Sequence, residues 1–204
     1  MQPRRPPCPR RAPEASRGTI VAAAPDEVTF RVAGMADALC IGVLGTQVFL
    51  DTYATGGIRP SLAREVLQHL STEAIESLLA ASGAQFILAE RAGHLIGFAD
   101  LALGATQALV PAWPSAELRR LYVHERFTRR GIGAALLRHA EAHAAATGTA
   151  ALWLTAWVEN VRALAFYARQ NYAELGAVPY VFENESYENR VFAKSLSGIA
   201  VTLQ

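Results

Sequence analysis

The sequence predicts a single α/β domain, and three observations predict it. Apolar segments with the period of strands alternate with segments of helical period, in the order β-α-α-β-β-β-α-β-α-β-β. The 204 residues, 51% of them hydrophobic, suffice to bury one core. Third, a strand-like run meets a basic, glycine-bearing turn and then at once a helix, all within Leu118 to Leu137, LRRLYVHERFTRRGIGAALL.

Val28 to Ala33 reads as the first strand. A helix follows from about Ala36 to Tyr53, with Leu39, Val43, Val48 and Leu50 at helical spacing. Thr55-Gly56-Gly57-Ile58-Arg59-Pro60 breaks it, and a second helical stretch, interrupted near Ser71, runs to about Ala81. Gln85 to Glu90 and His94 to Leu103 pair as a hairpin across Arg91-Ala92-Gly93. A loop holding Pro111 and Pro114 leads to the strand Glu117 to Val123. The next helix spans about Ile132 to Ala146, with Leu136, Leu137, Ala140 and Ala144 on its inner face. Ala150 to Trp157 is a buried strand by its apolar run, and a helix opens at Asn160. Ala173 to Phe182 and Arg190 to Leu196 close a final hairpin.

Residues 1–27 are set apart as a disordered Pro/Arg-rich extension, which leaves 28–204 as the folded domain. Five arginines within residues 1–17 face only Glu14, whereas the remainder carries 14 basic and 17 acidic residues. A nearly neutral, slightly acidic body gives no support to nucleic-acid binding. The stretch Ile20 to Ala24 is too short for the apolar core of a signal peptide, and five prolines before residue 14 spoil an amphipathic targeting helix. No apolar run approaches the roughly 18 residues that a membrane span needs. Cys8 and Cys40 make no disulfide framework, so a reduced, cytoplasmic setting is expected. His139 and His143 stand four apart, a spacing that can bind metal, but no third ligand accompanies them and no metal is expected.

The turn Thr128-Arg129-Arg130-Gly131-Ile132-Gly133 carries the first chemical signal. A helix start leaves its first amide N–H groups without internal partners and carries the positive end of the macrodipole. Glycines let the backbone curl so that several of those groups point at one anion. Two arginines add permanent charge, which makes a pyrophosphate the natural guest. A Walker A loop is excluded because the only lysine is Lys194, and a dinucleotide fingerprint because Leu136 stands where its third glycine belongs. The spacing that fits is Gln/Arg-x-x-Gly-x-Gly/Ala, with Thr128 in the first slot.

A second element follows about thirty residues on, Asn160-Val-Arg-Ala163-Leu-Ala-Phe166-Tyr167-Ala-Arg-Gln-Asn171-Tyr172. It is similar to Asn-x-x-Ala-x-x-Phe-Tyr-x-x-x-Gly-Phe, with Asn171 for the glycine, a mild departure because Asn tolerates a left-handed helix terminus. Together the two motifs resemble the GCN5-related N-acetyltransferase (GNAT) superfamily, over about residues 28–197. The resemblance implies the GNAT fold with a mixed central sheet, and acetyl-CoA as co-substrate. It implies that the main chain of Leu121, Tyr122 and Val123 pairs with pantetheine and polarises the thioester carbonyl. The turn Arg129, Arg130, Gly131, Ile132, Gly133 and Ala134 would hold the pyrophosphate, and Asn160 the cofactor arm. The proline usual after this strand is absent, since His124-Glu125-Arg126-Phe127 makes the connection. Homodimers through the final hairpin or the first helices are common in the resembled family.

Acetyl transfer to an amine needs a base, because an aliphatic amine with a pKa near 10.4 is neutral in about one molecule in a thousand at neutral pH. It also needs an acid for the departing thiolate. Tyr167 lies seven residues after Asn160, nearly two helical turns, so both fall on one face. Tyr167 is the candidate acid and Glu117, acting through water, the candidate base; His124 is a weaker relay candidate. For the acceptor, Glu183, Glu185 and Glu188 stand among Tyr180, Phe182 and Tyr187, which suits a cationic amine, and Asp51 and Tyr53 join them on the expected substrate side. The whole pattern is most similar to the polyamine (spermidine/spermine) branch, although Phe182-Glu-Asn-Glu-Ser-Tyr187 departs from the Gly-Asp-rich turn of that branch. A small-molecule amine is the leading acceptor. A protein or peptide amine would instead need an open groove between residues 51–59 and 183–188, and a non-catalytic acyl-CoA-binding module would be indifferent to loss of the Tyr167 hydroxyl.

Overall fold

The structure, a computed structural model, describes residues 27–182 and 185–197. The N-terminal extension up to residue 26, Cys8 within it, and Glu183 lie outside the described residues. The elements follow the expected order: β1 Val28–Val32, α1 Ala38–Tyr53, α2 Pro60–Leu70, α3 Thr72–Ala80, β2 Ala84–Arg91, β3 His94–Leu103, β4 Ser115–Val123, α4 Ile132–Ala146, β5 Ala151–Trp157, α5 Val161–Arg169, β6 Ala173–Phe182 and β7 Glu185–Ser195. Short 3-10 turns at Met35–Asp37 and Glu125–Phe127 precede α1 and follow β4. The seven strands form one sheet in the order β1-β2-β3-β4-β5-β7-β6. Every neighbouring pair is antiparallel except β4 and β5, which run parallel, so the sheet is mixed.

Local chemistry accounts for the helix boundaries. Pro60 opens α2 at its first position, where the missing N–H costs nothing. Ser71 then ends α2 and caps α3, its hydroxyl accepting from the Ala74 amide at 3.2 Å. On α4, Leu136, Leu137, Ala140 and Ala144 are buried as their spacing predicts, against Leu101, Leu152 and Leu154 of the sheet. α5 shares that face through Tyr167. The opposite face is covered by α1 and α3, where Ala38, Ile41, Leu44 and Ile75 pack on Phe86, Leu88 and Phe98.

α1 forms where helical spacing places it, but the apolar residues at that spacing do not all face inward. Leu39 and Val43 are 59% and 62% exposed, and the buried side is Ala38, Ile41, Gly42, Leu44 and Gly45. The reason is close approach: a Cβ on Gly42 would stand 2.5 Å from the Leu70 carbonyl oxygen, and one on Gly45 2.8 Å from the Leu70 side chain. The helix turns its smallest face to the end of α2, a preference that hydropathy spacing does not register. By length and composition the 19 residues Met35–Tyr53, mean hydropathy 1.2, also reach the size of a membrane span, which the sequence reading did not anticipate. Here that segment is seated on α3 and the sheet through Ala38, Ile41 and Leu44.

Gly42→Ala forces backbone apart at this junction and is expected to destabilise the domain by about 1–3 kcal/mol. Gly34→Ala, with nothing within 4 Å of the added carbon, should change stability far less. Urea denaturation of the two variants checks the contrast.

Candidate active site

β4 and β5 are paired at three positions only, Ser115 with Ala151, Ala116 with Leu152 and Glu117 with Trp153. Beyond Glu117 the strands part. On its other edge β4 carries one extra residue, Arg119, where Asp100 pairs with Arg120 and Leu101 with Leu118. Such a bulge bends a strand and increases its twist, here at the point where pairing to β5 stops. Asp100 holds the bulge. Its side chain is 0% exposed, with Oδ1 accepting from Arg119 Nε at 3.0 Å and Oδ2 from Arg120 Nη1 at 2.6 Å. A carboxylate buried between two guanidinium groups has both its charge and its lone pairs met.

The parting leaves β4 with a strand partner on one side only. Leu121, Tyr122 and Val123 pair with Ala99, Phe98 and Gly97 of β3, and their main chain on the β5 side has no strand to bond. A cavity of about 500 Å³ fills the gap, reached by Leu121 and Tyr122 on one flank and by Thr155, Ala156 and Trp157 on the other.

At the end of β4 the chain turns into α4. Arg129 (φ 60°) and Gly131 (φ 78°) are both left-handed, a conformation free for glycine and costing about 1–2 kcal/mol for arginine. The first helical bond runs from the Ala135 amide to the Gly131 carbonyl at 2.9 Å. The amides of Ile132, Gly133 and Ala134 are therefore the open N-terminal donors of α4. They sit between β4 and α5: a Cβ on Gly133 would lie 3.8 Å from both Val123 and Phe166, an ordinary contact, so the fold itself does not demand glycine there. Arg129 and Arg130 are exposed beside these donors, Arg130 over the Phe127 ring at 5.7 Å. His124 is engaged in the same turn, its Nδ1 accepting from the Arg126 amide at 3.2 Å, and His139 stacks on Phe30.

Asn160 caps α5, its Oδ1 accepting from the Ala163 amide at 3.1 Å. That leaves the Nδ2 donor, and Asn160 and Tyr167 line the same cavity. Asn171 (φ 63°) closes the helix in the left-handed form expected for it. The Tyr167 ring is buried edge-on against Phe166 and Tyr172, with centroids 5.2 and 5.7 Å away. Tyr172 is itself fixed, donating to Glu141 Oε1 at 3.0 Å, a carboxylate that also takes Lys194 Nζ at 2.9 Å. Burial raises the Tyr167 hydroxyl pKa well above its ordinary value, with Tyr53 and Tyr122 adding to the effect. Tyr122 is raised for the same first reason, so these hydroxyls keep their protons at neutral pH.

Glu117 is the last paired residue of β4, at the closed end of the gap, and does not itself line the cavity. Burial pushes its carboxyl pKa up; Arg119 opposes this and Asp100 reinforces it. Of the acceptor residues, Tyr53 lines the cavity, but Asp51 is exposed and does not. Phe49 and Tyr53, four apart, share the inner face of α1, and two residues after Phe49 the helix has rotated about 200°. Glu185 is exposed and accepts the Tyr187 hydroxyl outside the lining.

Several lining groups, Phe49, Trp157 and Arg59 among them, were not singled out from sequence. Phe49 and Trp157 join the expected Tyr53 and Tyr187 in a continuous aromatic wall, with successive centroids 4.9, 6.2 and 6.2 Å apart from Phe49 through Tyr53 and Trp157 to Tyr187. Arg59 bridges from the start of α2 to the final hairpin, donating to the Tyr187 hydroxyl at 3.5 Å and lying 5.9 Å from the Phe182 ring. Asp100 carried a signal, an acid inside an otherwise apolar strand, and so did the adjacent arginines.

With this geometry in hand, comparison with known proteins decides the family: a model of the acetyltransferase (GNAT) family matches residues 57–172, which include both motifs. The chain belongs to the GNAT family. As a GNAT protein it is an acetyl-CoA-dependent N-acetyltransferase. It is 22% identical to an uncharacterised N-acetyltransferase of Lactobacillus delbrueckii subsp. lactis over 153 residues, 75% of this chain and 88% of that protein. The PaiA N-acetyltransferase of Thermoplasma acidophilum, solved with coenzyme A, aligns with a TM-score of 0.64 at 21% identity, covering 83% of this chain and 99% of that one. YncA of Salmonella typhimurium, a putative acetyltransferase solved with acetyl-CoA, aligns at 0.59 and 19% identity over 85% and 96%. These likenesses support the fold of the GNAT domain and do not single out a polyamine branch.

Proposed function

We propose that this GNAT protein transfers the acetyl group of acetyl-CoA to the primary amine of a small molecule, by direct attack with both substrates bound. The observation that carries the proposal is that the unpaired edge of β4, the buried Tyr167 hydroxyl and an aromatic chamber meet in one cavity. Acetyl-CoA, when bound, supplies a thioester carbonyl and a thiolate leaving group. The main chain of Leu121, Tyr122 and Val123 is assigned to the pantetheine arm, with Asn160 Nδ2 as a further donor. The open amides of Ile132, Gly133 and Ala134, with Arg129, Arg130 and the Gly131 turn, are assigned to the diphosphate.

Glu117, through water, takes the proton of the attacking amine as the new C–N bond forms and the C–S bond breaks. Tyr167 gives its proton to the departing sulfur. Its raised pKa weakens it as an acid, but a thiolate in the same desolvated gap has its own proton affinity raised in the same direction.

The bridge made by Arg59 between the start of α2 and the final hairpin supports a small acceptor, because a protein or peptide amine calls for an open groove there. A polyamine, the acceptor suggested by the sequence pattern, finds Glu65 and several aromatic rings along the described lining, with Glu185 outside it.

Tyr167→Phe is expected to lower kcat by about 10²–10⁴-fold while leaving KM for acetyl-CoA nearly unchanged. Steady-state thiol release checks this: an unaltered kcat contradicts the acid role, whereas no thiol release from the wild-type protein with any amine favours a non-catalytic acyl-CoA-binding module. Glu117, with its pKa raised, loses its base form as pH falls through a value above the ordinary glutamate range. The plot of log kcat/KM against pH should therefore steepen there from a slope of one, set by the amine, to two. In Glu117→Gln the slope should stay at one; a second break that survives the substitution contradicts the base assignment.

A further inference from the structure

The acceptor end of the cavity is both aromatic and rich in guanidinium groups. Arg59, Arg119 and Arg120 line it, against Glu65 as the only acidic side chain in the described lining. Asp100, fully buried behind Arg119 and Arg120, offsets one of the three positive charges, and Glu65 lies 3.7 Å from His69 on its own helix. A polycationic acceptor entering this chamber meets more positive than negative charge.

Resting on the transferase reading above, we infer that the acceptor is an amino-acid-like amine, one that carries a carboxylate beside the amine and an apolar or aromatic body, and that Arg120 receives the carboxylate. Arg120 is placed for this. Its side chain is 18% exposed, and it donates to Asp100 through Nη1 and is also hydrogen-bonded to the Tyr122 side chain, two partners for a planar fork of five N–H donors. It stands two residues before Tyr122 on the same face of β4, because the register is regular from Arg120 onward, beyond the Arg119 bulge. A carboxylate at Arg120 thus brings the neighbouring amine to the open edge of β4, where the thioester carbonyl is assigned. Asp100 keeps the guanidinium from swinging away, so its orientation is set before the acceptor arrives. The wall from Phe49 through Tyr53 and Trp157 to Tyr187 offers the apolar body a flat surface. The same positive potential assists the chemistry, since nearby cations lower the pKa of an ammonium group and raise the fraction of neutral amine.

The test uses the whole protein with acetyl-CoA, reading free thiol, and three matched acceptor pairs with and without the carboxylate: phenylalanine and phenethylamine, tryptophan and tryptamine, leucine and isoamylamine. Spermidine is the polycationic comparison. At least one amino acid is expected to exceed its decarboxylated partner in kcat/KM by about 10–100-fold, the worth of a charge-assisted, forked hydrogen bond. Arg120→Gln should bring that ratio close to one, mainly through KM, and Arg120→Lys should restore part of it. In wild-type enzyme, decarboxylated amines or spermidine matching or exceeding the amino acids overturns the inference, as does a ratio that survives Arg120→Gln. That outcome leaves amine acetylation standing. No thiol release with any amine, while coenzyme A still binds by calorimetry, removes the transferase reading itself and this inference with it.

Discussion

The site depends on β4 and β5 separating after three residue pairs. A parallel pair inside a sheet normally continues until one strand ends, since each unmade main-chain bond away from water is costly. Here β5 runs on to Trp157 beside β7, and β4 to Val123 beside β3, with a cavity between them. The Arg119 bulge supplies the bend, and the Asp100 carboxylate between two arginines fixes it in place. An edge left without a strand partner offers its main-chain groups to an extended, amide-bearing guest laid along it. Pantetheine is such a guest, and membership of the GNAT family names acetyl-CoA as the molecule that brings it.

Once the strands part, the surrounding elements converge on the gap for reasons that are local to each. α4 begins where β4 ends, so its open N-terminal amides and the exposed Arg129 and Arg130 mark one end. α5 begins where β5 ends, so its cap Asn160 and, two turns on, Tyr167 look into the middle. α1 and the final hairpin bring rings to the other end, and Arg59 spans them. Charge is graded along the path. The end at α4 is positive and exposed, the middle is walled by protonated tyrosines, and the end at α1 and the final hairpin is aromatic with fixed guanidinium groups.

Much of this was readable in the sequence, and the exceptions share a cause. The element order, the inner face of α4, the cap at Asn160 and the left-handed Asn171 all follow from short-range rules, and each is met. The buried side of α1 was not, because Gly42 and Gly45 are placed by contact with Leu70, about 25 residues away. Glu117, Leu121 and Tyr122 fell on the right strand, but the bulge that turns Arg119 out of register depends on an acid in the neighbouring strand. Asp51 was grouped with Tyr53 by proximity in sequence, and helical rotation separates them. The aromatic wall draws on α1, β5 and β7, three elements brought together only by the folded sheet.

The claim on which the rest stands is that the β4 edge and the start of α4 together receive the cofactor. The most direct measurement follows the backbone amides of the ¹⁵N-labelled protein during titration with coenzyme A. The largest shifts should fall on Leu121, Tyr122 and Val123 and on Ile132, Gly133 and Ala134, while β1 and β2 at the far side of the sheet stay still. Saturation with those two segments unmoved, or with the shifts gathered on another face, would contradict it.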